Sequence, residues 1–543
     1  MGKADFGVLY GQKTTEDALL IYSSYEDAKA SPQTGDFIVL TPKDEGNTKY
    51  LARVEAEIYD EDPIFKSQDK TLIAVHYARI AERELSERDK QKMFSYTYKV
   101  RILGTFKDSG STIDFTTAVR KLPTVSYIAR HLNKREIESI LNKTNENGAE
   151  IGYLCVGETI FKDKGPILFR IDKFCNRRTM VFAQSGFGKT NLVKVLLYHM
   201  TRDNSYGKLI FDLNGEYFLR GTATYGLGDI NQSFIRDNVV VYTDKKLPEI
   251  YKQNRFFNGG KVTLNMHKHL AVGDILNFGG GFSEVMKAFL LYLDEDGVSN
   301  FIENIDSYVS EPQKLHKDFP DFFDSKKEAS ARTTIAAIRK RIRYLIDEGN
   351  LHSGSSKLVE EVFDHLKQGK TVIIDLSLKD NMEASIISTI LVRKLFEGNK
   401  EKFTSDKPGE VIKAVIFVEE AQNVLSQEFV KSNANPFVRV AKEGRKFGLG
   451  LVAITQRPSA ISDEIRTQAE NFFAFHMGNS DDIKALVKSN INYDGVISNF
   501  IQRETIAGNL YMVSSDQAFA LPVRVTEFEK LVESKVYRES KFN

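Results

Sequence analysis

Hydrophobic positions in residues 4–120 follow a different pattern from those in the rest of the chain. Short runs bounded by turn residues predict β-strands at residues 6–10, 35–40, 51–58 and 96–103. Short alternating strands of this kind suggest a small β-barrel, although the strand pattern alone would also fit a sandwich.

From about residue 150 the apolar residues form continuous runs, which is typical of strands buried on both faces of a sheet. These runs predict strands at residues 180–183, 209–213, 238–242, 371–375, 413–418 and 448–455. Residues 264–355 lie between two of these strands and have helical periodicity over 282–308 and 329–346. We therefore expect an α/β fold with a helical insert.

The last predicted helix of the insert has basic residues beside an apolar stripe. The basic side chains are those of Arg332, Arg339, Lys340, Arg341 and Arg343. A solvated helix face accounts for this pattern, and a contact with DNA or a protein partner is the alternative.

The strand at 180–183 runs directly into a glycine-rich loop and a helix. The candidate nucleotide-binding residues are Ala183, Gln184, Ser185, Gly186, Phe187, Gly188, Lys189, Thr190 and Asn191. Glycines allow successive backbone N–H groups to surround a phosphate, a lysine reaches the β- and γ-phosphates, and a hydroxyl binds Mg²⁺. Ala183 replaces the usual first glycine and is small enough to keep the turn tight. The loop predicts an ATP site.

Two carboxylates, Glu419 and Glu420, follow the buried strand at 413–418. In an ATP site the first would hold Mg²⁺ through water and the second would polarise the water that attacks the γ-phosphate. Read alone, such a pair is more often the solvated start of a helix. The phosphate loop upstream reverses that preference.

Gln456 follows the strand at 448–455 and would lie at the carboxyl edge of the sheet, where ligands of open α/β sheets bind. It is a candidate sensor of the γ-phosphate; its alternative role is a polar cap on the turn closed by Pro458.

Arg445, in the basic turn before that strand, is a candidate arginine finger for a neighbouring subunit, because Lys189 already serves the phosphates of its own subunit. Favourable charge at a helix C-terminus is the alternative. Arg177 and Arg178 are a second candidate pair and could equally be solvated.

These residues resemble the HerA-type hexameric ATPases of the HerA/FtsK group, which are DNA translocases with a RecA-like core. The likeness rests on the phosphate loop, on Glu419-Glu420-Ala421 and on further segments. Residues 212–217 (DLNGEY) are similar to the family's D-x-x-G-E-Y segment, and residues 444–448 (GRKFG) and 456–458 (QRP) are similar to its G-R-[KH]-x-G and Q-R-P pair.

The resemblance implies a RecA-like P-loop core with an N-terminal small β-barrel and a helical insert. It also implies that Arg445 acts in trans, that Gln456 is the sensor, and that Arg177 or Arg178 has a role at the nucleotide. The expected domains are a barrel at 1–125, a linker at 126–150, core segments at 151–263 and 356–520, the helical insert at 264–355, and a C-terminal brace at 521–543 that contacts the next subunit.

The leading expectation for function is a homohexameric ring that uses ATP and Mg²⁺ to move or unwind duplex DNA. By family analogy, the ring is expected to work with a separate nuclease or SIR2-like effector, and anti-phage defence is one setting in which the family occurs. The alternative is an ATPase scaffold that assembles and regulates such an effector. The chain has 75 basic and 74 acidic residues, so any DNA affinity must be local. A secretion-type ATPase is a third possibility.

The cysteines and the apolar runs of the chain give no support for a metal site, a disulfide framework or a membrane-spanning segment. The chain has two cysteines, Cys155 and Cys175, without metal-ligand partners, and they are expected to be reduced thiols. No signal peptide or membrane-spanning run is evident, so a cytoplasmic protein without a membrane partner is expected.

Overall fold

The protein is described by a computed structural model that covers residues 5–12, 18–24, 32–43, 48–59, 95–124, 127–142, 148–219, 224–247, 261–320, 322, 328–405, 410–432, 435–515 and 517–536. Two compact units are present, and each is described by itself. The first takes its residues from 1–170 and 472–526, and the second from 171–471 and 527–543.

The first unit contains an antiparallel sheet that closes on itself. Its strands are β1 (Asp5–Gln12), β2 (Ala18–Ser24), β3 (Phe37–Thr41), β4 (Thr48–Tyr59), β5 (Ser95–Asp108), β6 (Ile113–Thr116) and β7 (Ile128–His131). They pair in the order β2-β1-β7-β3-β4-β5-β6, and a further pairing of β2 with β5 closes the ring. Ile21, Leu40 and Val100 are fully buried inside it. The four strands predicted here are confirmed, with different end residues.

A second sheet of the same unit combines strands from distant parts of the chain. Its members are β8 (Gly148–Val156), β9 (Thr159–Ile160), β10 (Pro166–Arg170), β17 (Asn471–Ala474), β18 (Asn509–Ser514) and β19 (Gln517–Val525). β8 pairs antiparallel with both β10 and β19, and β18 pairs with β19 and β17. The helices of this unit are α1 (Lys134–Glu136), α15 (Ser480–Ser489) and α16 (Val496–Arg503).

These pairings depart from the expected boundaries in two places. Residues 126–150 were expected to be a linker, but β7 pairs with both β1 and β3 and completes the closed sheet. Residues 472–520 were expected in the second core segment, but they group with the first unit, since β18 and β19 join β8. Strand β7 has only four residues, and β8 pairs with β19 across more than 350 positions, so neither feature produces a local sequence pattern.

The second unit is built on a parallel sheet of strands that are buried along almost their entire length. They are β11 (Arg178–Phe182), β12 (Gly207–Asp212), β13 (Val239–Tyr242), β14 (Thr371–Asp375), β15 (Ala414–Val418) and β16 (Leu449–Thr455). The order is β11-β16-β15-β12-β14-β13. The six predicted strands are confirmed. Because all of them are parallel, the residues that follow them meet at one edge.

Helices connect these strands. They are α2 (Lys189–Met200), α3 (Ser233–Asn238), α4 (Met266–His269), α5 (Val272–Gly279), α6 (Glu284–Tyr292), α7 (Glu295–Ser310), α8 (Pro312–Asp318), α9 (Glu328–Ile346), α10 (Leu358–Lys367), α11 (Asn381–Thr404), α12 (Gln427–Ser432), α13 (Pro436–Glu443), α14 (Asp463–Arg466) and α17 (Phe528–Val532). In the described ranges, no helix combines the length and the apolar character needed to cross a membrane.

Helices α5 to α9 form a group whose two ends meet at one point. Leu264 and His352 form a parallel bridge there, and Phe289 of α6 packs on Phe301 of α7 with ring centroids 5.1 Å apart. On α9, Arg339 pairs with Asp306 and Asp347. This local pairing fits the solvated-face interpretation of the basic stripe.

Candidate active site

The phosphate loop is shaped by two glycines in the left-handed region. Gly186 has φ 85° and Gly188 has φ 104°, and Gly188 is the N-cap of α2. A Cβ at Gly186 would meet no atom within 4 Å, so its backbone conformation, not a lack of space, requires glycine there. The backbone N–H groups at the start of α2 are thereby left for an anion.

Ala183 shows why the loop tolerates the loss of its usual first glycine. Its φ is not positive, its side chain is fully buried, and its N–H donates to the Thr455 carbonyl at 3.2 Å. An L-residue is therefore unstrained at this position. A methyl group is accommodated between β11 and β16.

Lys189 is half-buried at the start of α2. Burial lowers the pKa of its ammonium group, and the nearby carboxylates of Glu420, Glu419 and Glu216 oppose that shift. The lysine therefore faces the carboxylates at the end of β15, as the spacing of the motifs predicts. Before a nucleotide is bound, these carboxylates compensate the positive charge of the Lys189 ammonium group.

Glu419, directly after β15, is partly buried, and its two carboxylate oxygens differ in their partners. Tyr217 donates a hydrogen bond of 2.5 Å to Oε1, whereas Oε2 is buried and has no hydrogen-bond partner among the described residues. Burial raises the pKa of this carboxyl to about 7, although the Tyr217 hydrogen bond lowers it. A carboxylate oxygen without a partner in this place could accept a hydrogen bond from a water ligand of Mg²⁺.

Glu420 is one of two non-glycine residues with positive φ in the described chain, at φ 45° and ψ 46°. Gln456 Nε2 donates to its Oε1 at 3.0 Å, and Gln422 Nε2 donates to its Oε2 at 2.7 Å. Gln422 is itself held, because its Oε1 accepts the Thr455 hydroxyl at 2.5 Å. Backbone strain at a reactive carboxylate that is fixed by two amides points to a functional position.

The loop after β16, which carries Gln456, is anchored by a buried guanidinium. Arg466 is 2% exposed and donates from Nη1 to the carbonyls of Pro458 and Ile461, both at 2.8 Å. These bonds fix the turn that follows Gln456.

Asp212, at the end of β12, closes the turn that follows this strand at the carboxyl edge of the sheet. Its carboxylate accepts the N–H groups of Gly215, Glu216 and Tyr217 at 2.7, 3.1 and 2.9 Å. Burial raises its pKa to about 6, against the effect of these hydrogen bonds. The turn it closes brings the Tyr217 hydroxyl to Glu419.

Three arginines predicted at the site lie elsewhere in the unit. Arg178 begins β11, four residues before the loop, which corresponds to about 13 Å along an extended strand. Its Nη1 donates to the Ala441 carbonyl at 3.1 Å and to Gln468 Oε1 at 2.6 Å. Arg177 precedes it, and Arg445 lies in the turn before β16, at the same amino edge. In their own subunit these residues are not placed to contact the nucleotide of this loop.

Asn191 stays a predicted nucleotide-binding residue, and its Oδ1 accepts the N–H of Phe528 at 2.8 Å. The C-terminal helix α17 therefore packs on the P-loop helix of its own chain. The Asn231 N–H also donates to the Lys535 carbonyl at 2.6 Å. Bracing of a neighbouring subunit by this segment stays a prediction, and residues 537–543 lie outside the described ranges.

Three residues at the edges of the sheet escaped the sequence analysis. Tyr217 belongs to the DLNGEY segment, so its position was visible although its role was not. Gln422 follows Glu420 by two residues in a 3-10 turn (Ala421–Asn423), which was the available signal. Glu470 has no sequence signal. It accepts the Arg178 N–H at 2.9 Å and depends entirely on the fold.

The parallel sheet, the phosphate loop after β11 and the carboxylates after β15 define a P-loop ATPase. A protein-family model described as "Helicase HerA, central domain" matches residues 154–395, and one described as "Zonular occludens toxin (Zot)" matches residues 344–481. Residues 154–395 are therefore similar to the central domain of the HerA-type helicases, in agreement with the resemblance seen in the motifs.

The relatives are distant but cover most of the chain. Probable helicase MJ1565 of Methanocaldococcus jannaschii is 21% identical over 452 residues, which are 82% of this chain and 77% of the relative. "DNA double-strand break repair helicase HerA" of Sulfurisphaera tokodaii is 22% identical over 400 residues, 71% of this chain and 72% of the relative.

Two solved structures have a weaker likeness. VirB4 of Thermoanaerobacter pseudethanolicus has a TM-score of 0.44 at 12% identity and covers 70% of this chain and 97% of its own. The bacterial conjugative coupling protein TrwB, in an unbound form, has a TM-score of 0.42 at 11% identity and covers 72% of this chain and 91% of its own.

Proposed function

We propose that this ATPase works as a homohexameric ring that moves along, or unwinds, duplex DNA. The observation that carries the proposal is the position of Glu420, which is held by Gln456 at the same sheet edge as Lys189 and Glu419. Relatives that cover most of the chain are named helicases, and one is named for DNA double-strand break repair. These names support DNA as the substrate.

At the nucleotide, the residues of this chain have distinct roles. The Lys189 ammonium group and the backbone N–H groups of Gly186, Gly188, Lys189 and Thr190 hold the phosphates. Thr190 and Glu419 would hold Mg²⁺, which neutralises charge on the β- and γ-phosphates when it is bound. Glu420 accepts a proton from the attacking water, and Gln456 orients that water or the γ-phosphate. These roles are supported by the fact that Glu419 and Glu420 follow β15 and Gln456 follows β16, at the carboxyl ends of neighbouring strands.

Arg445 completes the site of a neighbouring subunit. It is 68% exposed and lies at the amino edge of the sheet, away from its own phosphate loop. An exposed guanidinium that cannot reach its own nucleotide is suited to act in trans, where it stabilises charge that develops in the transition state. Arg178, which is engaged with Gln468 and Ala441, is a more rigid member of the same edge.

The parts outside the core have proposed counterparts in the ring. The closed sheet β1 to β7 serves as the N-terminal β-barrel, and helices α5 to α9 serve as the helical insert that the family resemblance implies. The strand order and the bridge between Leu264 and His352 support these assignments.

A second candidate function is a scaffold that assembles and regulates a nuclease or SIR2-like effector, for example in anti-phage defence. Exposed apolar residues of α6 support it, because Val285, Leu291 and Tyr292 are 58%, 68% and 45% exposed. Adjacent exposed apolar residues are typical of protein contacts. The net charge of +1 also gives no general attraction to DNA.

The deciding experiment is ATP hydrolysis by the isolated oligomer with and without linear duplex DNA, over a salt series. A DNA motor is expected to show stimulation that falls steeply with salt, because phosphate contacts release counterions. A Lys189→Ala oligomer controls for contaminating ATPases. Hydrolysis that does not respond to DNA, in an intact hexamer, would favour the scaffold.

A further inference from the structure

Glu470 lies between two arginines at the amino edge of the parallel sheet. Its Oε2 accepts the Arg178 N–H at 2.9 Å and is 3.5 Å from Arg178 Nε, whereas its Oε1 is 4.0 Å from Arg445 Nη1. The Glu470 N–H also donates to the Arg178 carbonyl at 3.0 Å. One carboxylate therefore links a fixed arginine to the proposed finger.

The two arginines differ in how firmly they are held. Arg178 is 19% exposed and its guanidinium has three partners, in Ala441, Gln468 and Glu470. Arg445 is 68% exposed, and within the described ranges its one ion pair is the long contact to Glu470. A long side chain with so little support samples many rotamers, and it loses that freedom when it binds a phosphate.

We propose that Glu470 is a positioning residue that holds Arg445 at the sheet edge, ready for the nucleotide of a neighbouring subunit. This inference rests on the proposed role of Arg445 in trans. Glu470 is 19% exposed and anchored through Arg178, so its negative charge has a fixed position. The contact of 4.0 Å is weak enough for a phosphate to replace it.

This arrangement predicts an effect on turnover and not on nucleotide affinity. Preorganisation of a charged group acts where charge develops in the transition state. The subunit's own phosphate loop lies at the opposite edge, so Glu470 does not contribute to its binding of ATP. Because the contact is exposed, salt will screen it.

The test is steady-state ATP hydrolysis by the intact oligomer of Glu470→Gln. Glutamine keeps an oxygen for the Arg178 N–H but removes the charge. We expect kcat to fall by about two- to fivefold at low salt, with an unchanged half-saturating ATP concentration, and the deficit to disappear at high salt. Glu464→Gln is the matched control, because it removes the same charge from a surface pair with Lys442 at 2.9 Å and should leave kcat unchanged.

A double-mutant cycle separates positioning from a structural effect. In an Arg445→Ala oligomer, adding Glu470→Gln should lower kcat no further, because the residue it positions is absent. An equal loss in both backgrounds, or an unchanged or raised kcat for Glu470→Gln alone, would overturn the inference. If Glu470→Gln does not assemble, Glu470→Asp, which withdraws the charge by one methylene, should show a smaller loss with the same dependence on salt and on Arg445.

The two proposals fail in different ways. Wild-type turnover by Arg445→Ala would remove the trans role, and the inference about Glu470 with it. An inactive Arg445→Ala beside a fully active Glu470→Gln would overturn only the role of Glu470.

Discussion

Gln456 Nε2 donates a hydrogen bond of 3.0 Å to Glu420 Oε1. The amide that follows strand β16 therefore holds the carboxylate that follows the neighbouring strand β15. Gln422 binds the other oxygen of the same carboxylate. The group proposed to activate water is therefore fixed by two amide donors and by a left-handed backbone. Its position depends on side chains that are distant in sequence.

Glu420→Gln should bind ATP normally and hydrolyse it at least about 100-fold more slowly, because the amide cannot accept the proton of the attacking water. Steady-state hydrolysis and equilibrium nucleotide binding measure the two effects. Glu428→Gln, an exposed neutralisation eight residues away, is the control and should be fully active. Normal turnover by Glu420→Gln would remove Glu420 from its assigned role.

Gln422→Ala should slow hydrolysis by about tenfold, because Glu420 loses one of its two amide donors and a hydrogen bond to a charged group contributes more than a neutral one. ATP binding should be unchanged. Asn423→Ala, at the next and exposed position, serves as the comparison. Equal rates for the two variants would mean that Gln456 and the backbone position Glu420 without Gln422.

Glu419→Gln should change the pH dependence of stability in the protein without nucleotide and Mg²⁺. Burial raises the folded-state pKa of Glu419 from 4.5 to about 7, so the folded protein retains a proton that the unfolded chain has lost. Stability from this group consequently falls as pH rises from about 4.5 to 7, by an amount on the order of 3 kcal/mol. The variant should show a flatter decline of Tm over this range in thermal unfolding with a chelator.

The same variant should lose Mg²⁺-dependent ATP binding. In the unsubstituted protein, affinity for Mg²⁺ should rise as pH increases through about 7, because Glu419 must be deprotonated to accept a hydrogen bond from a water ligand of the metal. If Tm fell equally with pH in the variant and the unsubstituted protein, deprotonation of Glu419 would not lower the free energy of unfolding as predicted.

Gly215→Ala should lower both stability and turnover. Gly215 has φ 72°, and a Cβ there would overlap Lys245 Nζ and lie 2.9 Å from Ser377 Oγ. Strain in this conformation costs about 1–3 kcal/mol and would disturb the turn that carries Tyr217 to Glu419. Gly273→Ala is the matched control, because its Cβ meets no atom within 4 Å and α5 favours alanine. Thermal unfolding and ATP hydrolysis should therefore separate the two variants.

A subunit-mixing experiment tests whether Arg445 acts in trans. Oligomers of Lys189→Ala alone and of Arg445→Ala alone should both hydrolyse ATP only at a small residual rate, since a finger contributes about 1,000-fold or more. Mixed oligomers should regain part of the activity, because an Arg445→Ala subunit has an intact phosphate loop that a Lys189→Ala neighbour can complete. Mixing without recovery, with subunit exchange verified, would argue for action within one subunit.

The phosphate loop and the buried strands were determined by the sequence itself. The loop is local: Gly186, Gly188, Lys189 and Thr190 are consecutive or nearly so, and the positive φ values at Gly186 and Gly188 favour glycine. Continuous apolar runs likewise identify β13 and β15 without knowledge of their neighbours. Glu419, Glu420 and Gln456 could be inferred because they come directly after such strands.

Only the tertiary structure decided which side chains support those residues. Tyr217 reaches Glu419 from 202 positions away, and Glu470 meets Arg178 across 292 positions. The strand β7 and the return of β18 and β19 to the first unit were equally hidden. Sequence periodicity reports whether a segment is buried and which of its faces is apolar, but it does not encode the order in which parallel strands pair. That order brings distant carboxylates, amides and arginines to the two edges of one sheet.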